Sequence, residues 1–321
     1  MKGTEQGRQK SEWPWTVTEG GRQRADDSEV PPITLAMPSY NQAQFLESAI
    51  QSVICQNYPS LEFVVRDGGS TDGSIEIIRS YEEDITRWES RDDGGQASAI
   101  NDVWGNSTGE LLGWLNSDDI LAPGALHTLS EAARKYPDAV LFFGDCGIID
   151  ASGRKEWVKQ MKEFDADALL RGKSFGQPSV FIRREVIEEI GLLDASLRYA
   201  LDWSYFLKVL WTYPPSRIQY VPEVLSCSRE YEGTKTRTGL AEKGEERREK
   251  LHEYAQKGII PDSVLDRGLA GTYWVQGAEQ FLAGHPFEAF WSGLRAVHHY
   301  PMSLFEKLSR LGWLLRERLR R

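Results

Sequence analysis

Short apolar runs alternate with helix-forming stretches along the first half of this chain. The apolar run at residues 33–37 is followed by apolar side chains at helical spacing over residues 44–56, and the alternation continues to residue 143. Such alternation is typical of a mostly parallel β-sheet flanked by helices, with ligands at the carboxyl ends of the strands. The sequence therefore predicts an α/β fold of Rossmann-like type.

The character of the sequence changes near both ends of the chain. Residues 1–30 are polar without periodicity, which predicts a flexible N-terminal tail. Residues 31–238 carry the alternating pattern, and residues 239–321 are predicted to form a helical C-terminal extension. From Leu304 onward, leucines at helical spacing accompany arginines, which predicts a basic amphipathic helix. This helix either docks on its own domain or lies on an anionic membrane.

The overall charge and the cysteines limit the partners and sites to expect. A formal net charge of -10 disfavours binding to nucleic acid, because phosphate backbones require a basic surface. An anionic small ligand would need a local solution such as a metal ion. Cys55, Cys146 and Cys227 are scattered and odd in number, so neither a disulfide framework nor a zinc site is predicted. Without a recognisable secretory signal or long apolar segment, a cytoplasmic location is expected.

Two adjacent carboxylates follow the predicted strand at residues 111–115. Asp118 and Asp119 come directly after Asn116 and Ser117, at the ligand edge of the predicted sheet. Magnesium in proteins is usually held by one or two carboxylates together with the phosphates of a substrate. The pair therefore predicts a divalent cation site, for Mg²⁺ or Mn²⁺, that bridges to a diphosphate. A capped turn is the alternative.

Glycines and a carboxylate also follow the second predicted strand, at residues 67–74. Glycines allow the backbone to approach a ligand closely, and Asp67 offers a carboxylate to a base or ribose. A tight turn in which Thr71 or Asp72 caps the next helix would explain the same residues. Both interpretations remain open on this segment alone.

Five segments occur in the order found in the family-two glycosyltransferases of GT-A fold. They are Pro-Ser-Tyr-Asn at residues 38–41, the loop at residues 67–74, residues 93–101, residues 115–119, and Gln-Pro-Ser at residues 177–179. The chain thus resembles an inverting glycosyltransferase over about residues 33–236. The resemblance implies a GT-A fold and transfer of a sugar from a nucleoside diphosphate sugar to an acceptor hydroxyl.

The resemblance also implies a role for each matching residue. Nucleotide-sugar contacts are implied for Pro38, Tyr40, Asn41, Asp67, Gly68, Asp93, Gln96, Asn101 and Asp118. Asp119 is implied to hold the metal together with Asp118, and Asp202 to act as the catalytic base. A base must take the proton of the acceptor hydroxyl as it attacks, although a helix N-cap is the alternative for Asp202. Phosphate or acceptor contacts are expected from Gln177, Trp203, Arg229, Tyr231 and Lys235.

Three residues depart from the family pattern. Gly94 stands where relatives often carry a lysine, Ser204 where a second acid often follows the base, and Tyr231 where many carry a histidine. In relatives a histidine at this place can complete the metal site, so Tyr231 puts metal dependence in question.

Two other functions remain open beside glycosyl transfer. A relative that binds a sugar nucleotide or glycan without turnover would explain the departures from the pattern. A sugar nucleotidyltransferase would carry a Gly-rich basic loop after its first strand, which residues 38–45 lack. The resemblance further implies a carbohydrate, lipid-linked or protein acceptor in polysaccharide or glycan biosynthesis. Peripheral contact with the inner face of a membrane would occur through the basic C-terminal segment.

Overall fold

A computed structural model of the chain describes residues 30–162, 164–173, 175–235, 239–282 and 284–304. Two segments predicted from the sequence therefore lie outside the described residues. Of the N-terminal tail only residue 30 is described, and of the basic helix only Leu304. Within the described part, no helix combines the length and the apolar character needed to cross a membrane.

Strands and helices alternate through the N-terminal half of the fold. The elements are β1 (Ile33–Ser39), α1 (Ala43–Ile54), β2 (Leu61–Asp67), α2 (Ser74–Ser80), β3 (Arg87–Ser90), α3 (Gln96–Gly105) and β4 (Leu111–Trp114). β1 pairs in parallel with β2 and with β4, and β2 pairs in parallel with β3. The carboxyl ends of these strands therefore meet at one edge of the sheet.

The following elements enclose the other half of the sheet. They are β5 (Ile120–Leu121), α4 (Ala125–Lys135), β6 (Leu141–Ile149), β7 (Lys155–Lys159), α5 (Ala166–Leu170), a 3₁₀ helix (Gln177–Ser179), β8 (Val180–Arg183), α6 (Arg184–Ile190), α7 (Leu201–Thr212) and β9 (Ile218–Arg229). A 3₁₀ turn, Pro215–Arg217, precedes β9. Gly191 ends α6 with a φ of 84°, which glycine adopts without the steric cost that a side chain would add.

The complete sheet is mixed, and it contains more antiparallel pairing than the sequence pattern predicts. Among the described residues the sheet has nine strands. Eight of them follow the order β3-β2-β1-β4-β8-β6-β9-β5, and the ninth, β7, pairs with the C-terminal half of β6. β8 runs antiparallel to β4 and β6, and β5 runs antiparallel to β9. Parallel neighbours need a crossover connection, whereas the hairpin from β6 into β7 reverses the chain directly.

The hydrophobic core lies on both faces of this sheet. Leu35 and Met37 of β1 pack on one face, whereas Ala36 packs on the other, as the two-residue period of a strand requires. On the second face the ring of Trp114 stacks on Phe206 of α7, with 5.5 Å between ring centroids and an interplanar angle of 9°. Helices thus cover both faces, which confirms the predicted α/β class.

Three helices follow the sheet and pack onto its core. They are α8 (Leu240–Gln256), α9 (Asp262–Leu282) and α10 (Pro286–His299), which agrees with the predicted helical extension. Leu251 and Tyr254 of α8, and Leu269 of α9, belong to the same buried cluster as Trp114. The boundary near residue 238 stays a prediction, since these helices share a core with the sheet.

Candidate active site

A cleft of about 790 Å³ opens at the carboxyl ends of the parallel strands. Ser39 and Asp67, the last residues of β1 and β2, lie opposite each other in register, so the loops after these strands are neighbours. The cleft-lining residues include ten that the sequence predicts: Pro38, Tyr40, Gly68, Asp93, Gln96, Asp118, Asp119, Arg229, Tyr231 and Lys235. Asn41, Asp67, Asn101, Gln177, Asp202 and Trp203 lie outside the lining.

One end of the cleft combines an exposed aromatic ring with a carboxylate. The side chain of Tyr40 is 63% exposed, the largest exposure among the large hydrophobic residues that line the cleft. Gly68 lies between Tyr40 and Asp93, because a Cβ built on it would come within 3.3 Å of Tyr40 Cδ2 and 3.6 Å of Asp93 Oδ1. The absence of a side chain at this glycine keeps the space between ring and carboxylate open. A planar, hydrogen-bonding ligand would fit there.

Asp67 lies beneath the cleft and holds its loop together. Its carboxylate accepts hydrogen bonds from Gly69 N at 3.1 Å, from Ser70 N at 2.9 Å and Ser70 Oγ at 2.5 Å, and from Ser90 Oγ at 2.6 Å. Asn41, in the left-handed region with φ of 50°, is tied to the same loop by its own N–H, which donates to Ser70 Oγ at 2.8 Å. The side chain of Asn41 also accepts the Thr71 N–H at 2.9 Å. Both side chains therefore shape the loops, where the resemblance implies nucleotide contacts.

The adjacent carboxylates of Asp118 and Asp119 lie side by side at the centre of the cleft. Asp119 is buried and accepts hydrogen bonds from Arg229 N at 2.9 Å and from Asn116 Nδ2 at 3.2 Å. Asp118 accepts one from the Tyr231 hydroxyl at 3.1 Å. Burial raises the pKa of both carboxyl groups, and the charge of Asp118 raises that of Asp119 further. The pair therefore lacks sufficient positive charge in its surroundings.

A divalent cation fits this deficit. Within the described ranges, no group of three or more acidic, histidine or cysteine side chains could hold a metal ion, so the acidic pair is what this part of the cleft offers. Two carboxylates are enough for Mg²⁺ or Mn²⁺ when a diphosphate and water supply the other oxygen ligands. Asp118 and Asp119 would hold the ion.

Tyr231, where the resemblance implies a histidine in many relatives, contacts the acidic pair through its hydroxyl. The hydroxyl donates to Asp118 and accepts a hydrogen bond from Gln42 Nε2 at 3.2 Å. The ring packs against Phe45, with 4.8 Å between the two centroids. Burial, followed by the charge of Asp118, raises the pKa of Tyr231 to about 12. The phenol is therefore neutral at physiological pH and acts as a donor to Asp118.

Arg229 connects loops behind the acidic pair. Its Nε donates to the carbonyl oxygen of Asp118 at 2.9 Å, and its Nη1 donates to the carbonyl oxygens of Asp150 and Ala151 at 3.1 and 3.2 Å. The guanidinium also lies over the ring of Phe45, 4.7 Å from the centroid. Arg229 lines the cleft, but these carbonyl bonds occupy much of the guanidinium that the sequence assigns to phosphate.

A chain of hydrogen bonds crosses the cleft floor from Lys235 to Asp119. Lys235 Nζ donates to Gln96 Oε1 at 2.8 Å, and Gln96 Nε2 donates to Asn116 Oδ1 at 2.7 Å. Asn116 then donates to Asp119 and, at 3.4 Å, to Gln177 Oε1. Gln177 lies behind the cleft, where its amide donates to the carbonyl oxygen of Trp114 at 3.0 Å. The chain joins the late loop to the acidic pair.

Asn101 is used to hold a neighbouring loop. Its Nδ2 donates to the Leu193 carbonyl oxygen at 2.8 Å, and its Oδ1 accepts from the Leu193 N–H at 3.0 Å. Leu193 precedes residues 195–198, which form one wall of the cleft. Asn101 therefore does not line the cleft but supports the segment that leads into its wall.

The proposed base and its neighbour lie at the start of α7. Asp202 is partly buried in the first turn, and its carboxylate accepts the Trp203 N–H at 2.6 Å. It lies within electrostatic reach of Lys235, which lines the cleft. The ring of Trp203 is 1% exposed and covered by the Arg247 guanidinium at 5.2 Å. Its burial in the core leaves no ring face for a sugar.

Several cleft residues were not among the sequence candidates. They include Gln42, Asn116, Ser117, Ser228, Thr234 and the wall residues Ala195, Ser196, Leu197 and Arg198. Asn116 and Ser117 directly precede the acidic pair, and their position in the sequence is enough to predict that they line the same cleft. No motif or periodicity marks residues 195–198, whose place in the cleft depends on tertiary contacts.

Known proteins with similar sequences are glycosyltransferases. Residues 34–191 match the sequence profile described as Glycosyl transferase family 2. This segment is therefore a glycosyl transferase family 2 domain. An uncharacterized glycosyltransferase of Rickettsia typhi is 28% identical over 223 residues, which cover 65% of this chain and 67% of the relative. The family match supports glycosyl transfer as the activity.

Solved structures agree with the family on the fold. Residues 1–349 of S. aureus TarS, in complex with UDP-GlcNAc, superpose with a TM-score of 0.64 at 16% identity, over 85% of this chain and 81% of that TarS fragment. The mannosyltransferase PcManGT from Pyrobaculum calidifontis, in complex with GDP-Man and Mn²⁺, superposes with a TM-score of 0.57 at 19% identity, over 92% of each chain. The family 2 domain therefore has the GT-A fold that the sequence predicts.

Proposed function

We propose that this chain is an inverting, metal-dependent glycosyltransferase that moves a sugar from a nucleoside diphosphate sugar to an acceptor hydroxyl. The observation that carries the proposal is the acidic pair, half-buried Asp118 and buried Asp119, in a cleft of about 790 Å³. Related folds have been solved with UDP-GlcNAc and with GDP-Man and Mn²⁺, which supports the same donor class here.

The donor would lie along the cleft with its base at the Tyr40 end. The exposed ring of Tyr40 offers a stacking surface, and the Asp93 carboxylate beside Gly68 accepts hydrogen bonds from a base. The diphosphate would then reach the acidic pair, with Asp119 as the direct metal ligand. A bound divalent ion would neutralise charge on the departing diphosphate. Lys235, at the other end of the cleft, would approach the phosphates as a cation.

Asp202 would accept the proton of the acceptor hydroxyl. In one displacement the hydroxyl oxygen forms a bond to the anomeric carbon while the bond from that carbon to the diphosphate oxygen breaks, which inverts the anomeric configuration. The proton passes to the Asp202 carboxylate as the hydroxyl becomes acidic in the transition state. The support for this role is the position of Asp202 directly after the cleft wall and near Lys235.

Donor binding and hydrolysis would test the proposal. Wild type is screened with UDP-, GDP- and dTDP-sugars in Mg²⁺, Mn²⁺ or chelator, beside Asp119→Ala and Asp202→Asn. Asp84→Asn, an exposed carboxylate outside the cleft, serves as the matched control. We expect one donor to bind and be cleaved slowly with metal, binding to be lost in Asp119→Ala, and Asp202→Asn to bind the donor but cleave it only at a low residual rate.

The same screen separates the alternatives. Binding without cleavage in every metal would indicate a non-catalytic relative. Formation of a sugar nucleotide from a sugar phosphate and a nucleoside triphosphate would indicate a nucleotidyltransferase. Inversion is checked by the anomeric configuration of the product, and a retained configuration would contradict the single displacement.

The acceptor is proposed to be a carbohydrate, a lipid-linked acceptor or a protein of a polysaccharide or glycan pathway, at the cytoplasmic face of a membrane. The described surface offers support for membrane contact. α10 buries the small residues Ser292 and Ala296 and exposes large apolar ones instead, namely Phe287, Phe290, Trp291 and Leu294. The chain continues from this region into Lys307, Arg310, Arg316, Arg318, Arg320 and Arg321. Apolar rings beside basic residues favour anionic lipid.

Vesicle sedimentation tests this contact. The full chain should sediment with phosphatidylcholine vesicles that contain phosphatidylglycerol and less with phosphatidylcholine alone. Phe290→Ser with Trp291→Ser should weaken sedimentation, whereas Tyr136→Ser, an exposed ring elsewhere, should not. Equal sedimentation of all variants would contradict the contact, and loss of a dimer in the α10 variant would assign that face to a second copy.

A further inference from the structure

The cleft wall at residues 195–198 has no strand or helix of its own. It joins α6 to α7 and supplies Ala195, Ser196, Leu197 and Arg198 to the cleft. Asp202, the proposed base, comes shortly after it. An irregular segment keeps a fixed position only when other elements satisfy its backbone. The position of the wall therefore depends on what binds its backbone groups.

A single carboxylate from the C-terminal helices binds the end of this wall. Glu246 Oε1 accepts the Arg198 N–H at 2.9 Å, and its Oε2 accepts the N–H groups of Tyr199 at 2.8 Å and Ala200 at 2.7 Å. α7 begins at the next residue, and Ala200 provides no side-chain cap to it. Glu246 thus supplies a negative charge at the N-terminus of α7 from a helix distant in sequence.

The same helix holds the other end of the wall. Lys250, one turn after Glu246 on α8, forms an ion pair with Asp194. The ring of Tyr199 packs against Gly239 just before α8, where a Cβ would lie within 1.9 Å of the ring. α8 therefore contacts the wall before and after the residues that face the cleft.

We propose that Glu246 is a positioning residue that holds Arg198 in the cleft and Asp202 at its working position. α8 then forms part of the active site, although it lies beyond the segment at residues 34–191 that matches the family. The inference rests on the proposed function for its link to turnover. Its structural part, the control of residues 198–200 by Glu246, is measurable without turnover.

Glu246→Gln removes the charge and one acceptor oxygen of the carboxylate while it keeps the shape of the side chain. An amide keeps one acceptor oxygen, but its NH₂ group would face a backbone N–H that now lacks a partner. The wall would shift to relieve this conflict. Because a displacement of about 1 Å at a reacting group lowers rates by roughly 100-fold, we expect turnover to fall about 10- to 100-fold.

Kinetics and binding distinguish positioning from general stability. For wild type, Glu246→Gln, Glu246→Asp and Glu249→Gln, we would measure kcat with the donor found in the screen, binding of UDP and GDP with Mn²⁺, and Tm. Glu249 lies exposed on the same helix and should leave all values unchanged. Glu246→Gln should lower kcat while binding of the preferred diphosphate stays within about threefold, because Asp118 and Asp119 are untouched.

A double variant tests whether Glu246 acts through Asp202. In an Asp202→Asn background, Glu246→Gln should lower the residual rate little further, since the positioned group is already absent. An equal fold loss in both backgrounds, or a folded Glu246→Gln with wild-type kcat, would overturn the proposal. If Glu246→Gln does not fold, the shorter Glu246→Asp is put through the same measurements.

Hydrogen exchange provides an arm that does not depend on activity. The amides of residues 198–200 should exchange at least about tenfold faster in Glu246→Gln than in wild type. Amides of β1, remote from α8, should be unaffected. Unchanged protection at residues 198–200 would overturn the proposal even if the glycosyltransferase assay succeeds. If residues 198–200 exchange faster in Glu246→Gln but wild type binds no donor, the positioning role of Glu246 stands and the proposed function is contradicted.

Discussion

Removing the Tyr231 hydroxyl tests how the acidic pair works without the family's histidine. In Tyr231→Phe, Asp118 loses a hydrogen bond of 3.1 Å in a buried environment. A hydrogen bond to a charged group contributes about 1.5–3 kcal/mol, and each 1.36 kcal/mol is about a tenfold change in proton affinity. The pKa of Asp118, already raised by burial, would therefore rise further.

The consequence is stronger competition between a proton and the metal ion. Where Asp118 is protonated, apparent Mn²⁺ affinity should fall by about 10- to 100-fold in Tyr231→Phe. The loss should shrink as the pH rises through the new pKa, because both proteins then carry the carboxylate. We would titrate Mn²⁺ with UDP or GDP, monitored by electron paramagnetic resonance, between about pH 6 and about pH 9.

Two comparisons make this result specific. Tyr136→Phe changes an exposed tyrosine outside the cleft and should bind Mn²⁺ as wild type does. Tyr231→His restores a nitrogen ligand and should tighten Mn²⁺ binding where the imidazole is neutral. If Tyr231→Phe binds Mn²⁺ like wild type at every pH, or weakens it equally at every pH, the proposed link through Asp118 protonation is refuted.

Three further changes probe the donor end and the core. Gly68→Ala should weaken donor binding by about tenfold or more without changing Tm, because the added methyl contacts Tyr40 at 3.3 Å; isothermal titration with the donor checks this. Trp114→Ala removes the ring stacked on Phe206 and should lower the unfolding free energy by about 3–5 kcal/mol in urea titrations. A chain that ends before residues 239–321 should lose cooperative thermal unfolding, since those residues supply part of the core; an unchanged Tm would contradict this.

The sequence predicts the N-terminal half of the fold well because its signals are local. Apolar runs and helical spacing locate β1 to β4 and their helices within a few residues. β5 has only the two residues Ile120 and Leu121, too few for any period to appear. The antiparallel placement of β8 depends on pairing with β4 and β6, strands that lie far from it in the chain.

Predicted site residues separate by what their side chains contact. Asp118 and Asp119 lie in the short loop after β4, so their place at the sheet edge follows from that strand. Asp67 and Asn101 carry the expected residue types, but nearby backbone groups already engage their polar atoms. Sequence patterns show which side chains offer hydrogen bonds, whereas the partner of each is decided by loops that come together only in the fold.

One side of the cleft lies within the segment that matches the family, and the other lies beyond it. The donor side, with Tyr40, Gly68 and the acidic pair, lies within the matched residues 34–191. The wall at residues 195–198 lies beyond that segment, and its anchor Glu246 lies 48 residues after Arg198. Donor chemistry is therefore predictable from motifs, because one diphosphate demands the same groups each time. The wall is instead held by contacts between distant segments, so under the proposed function, acceptor preference would change through α8 without altering any motif.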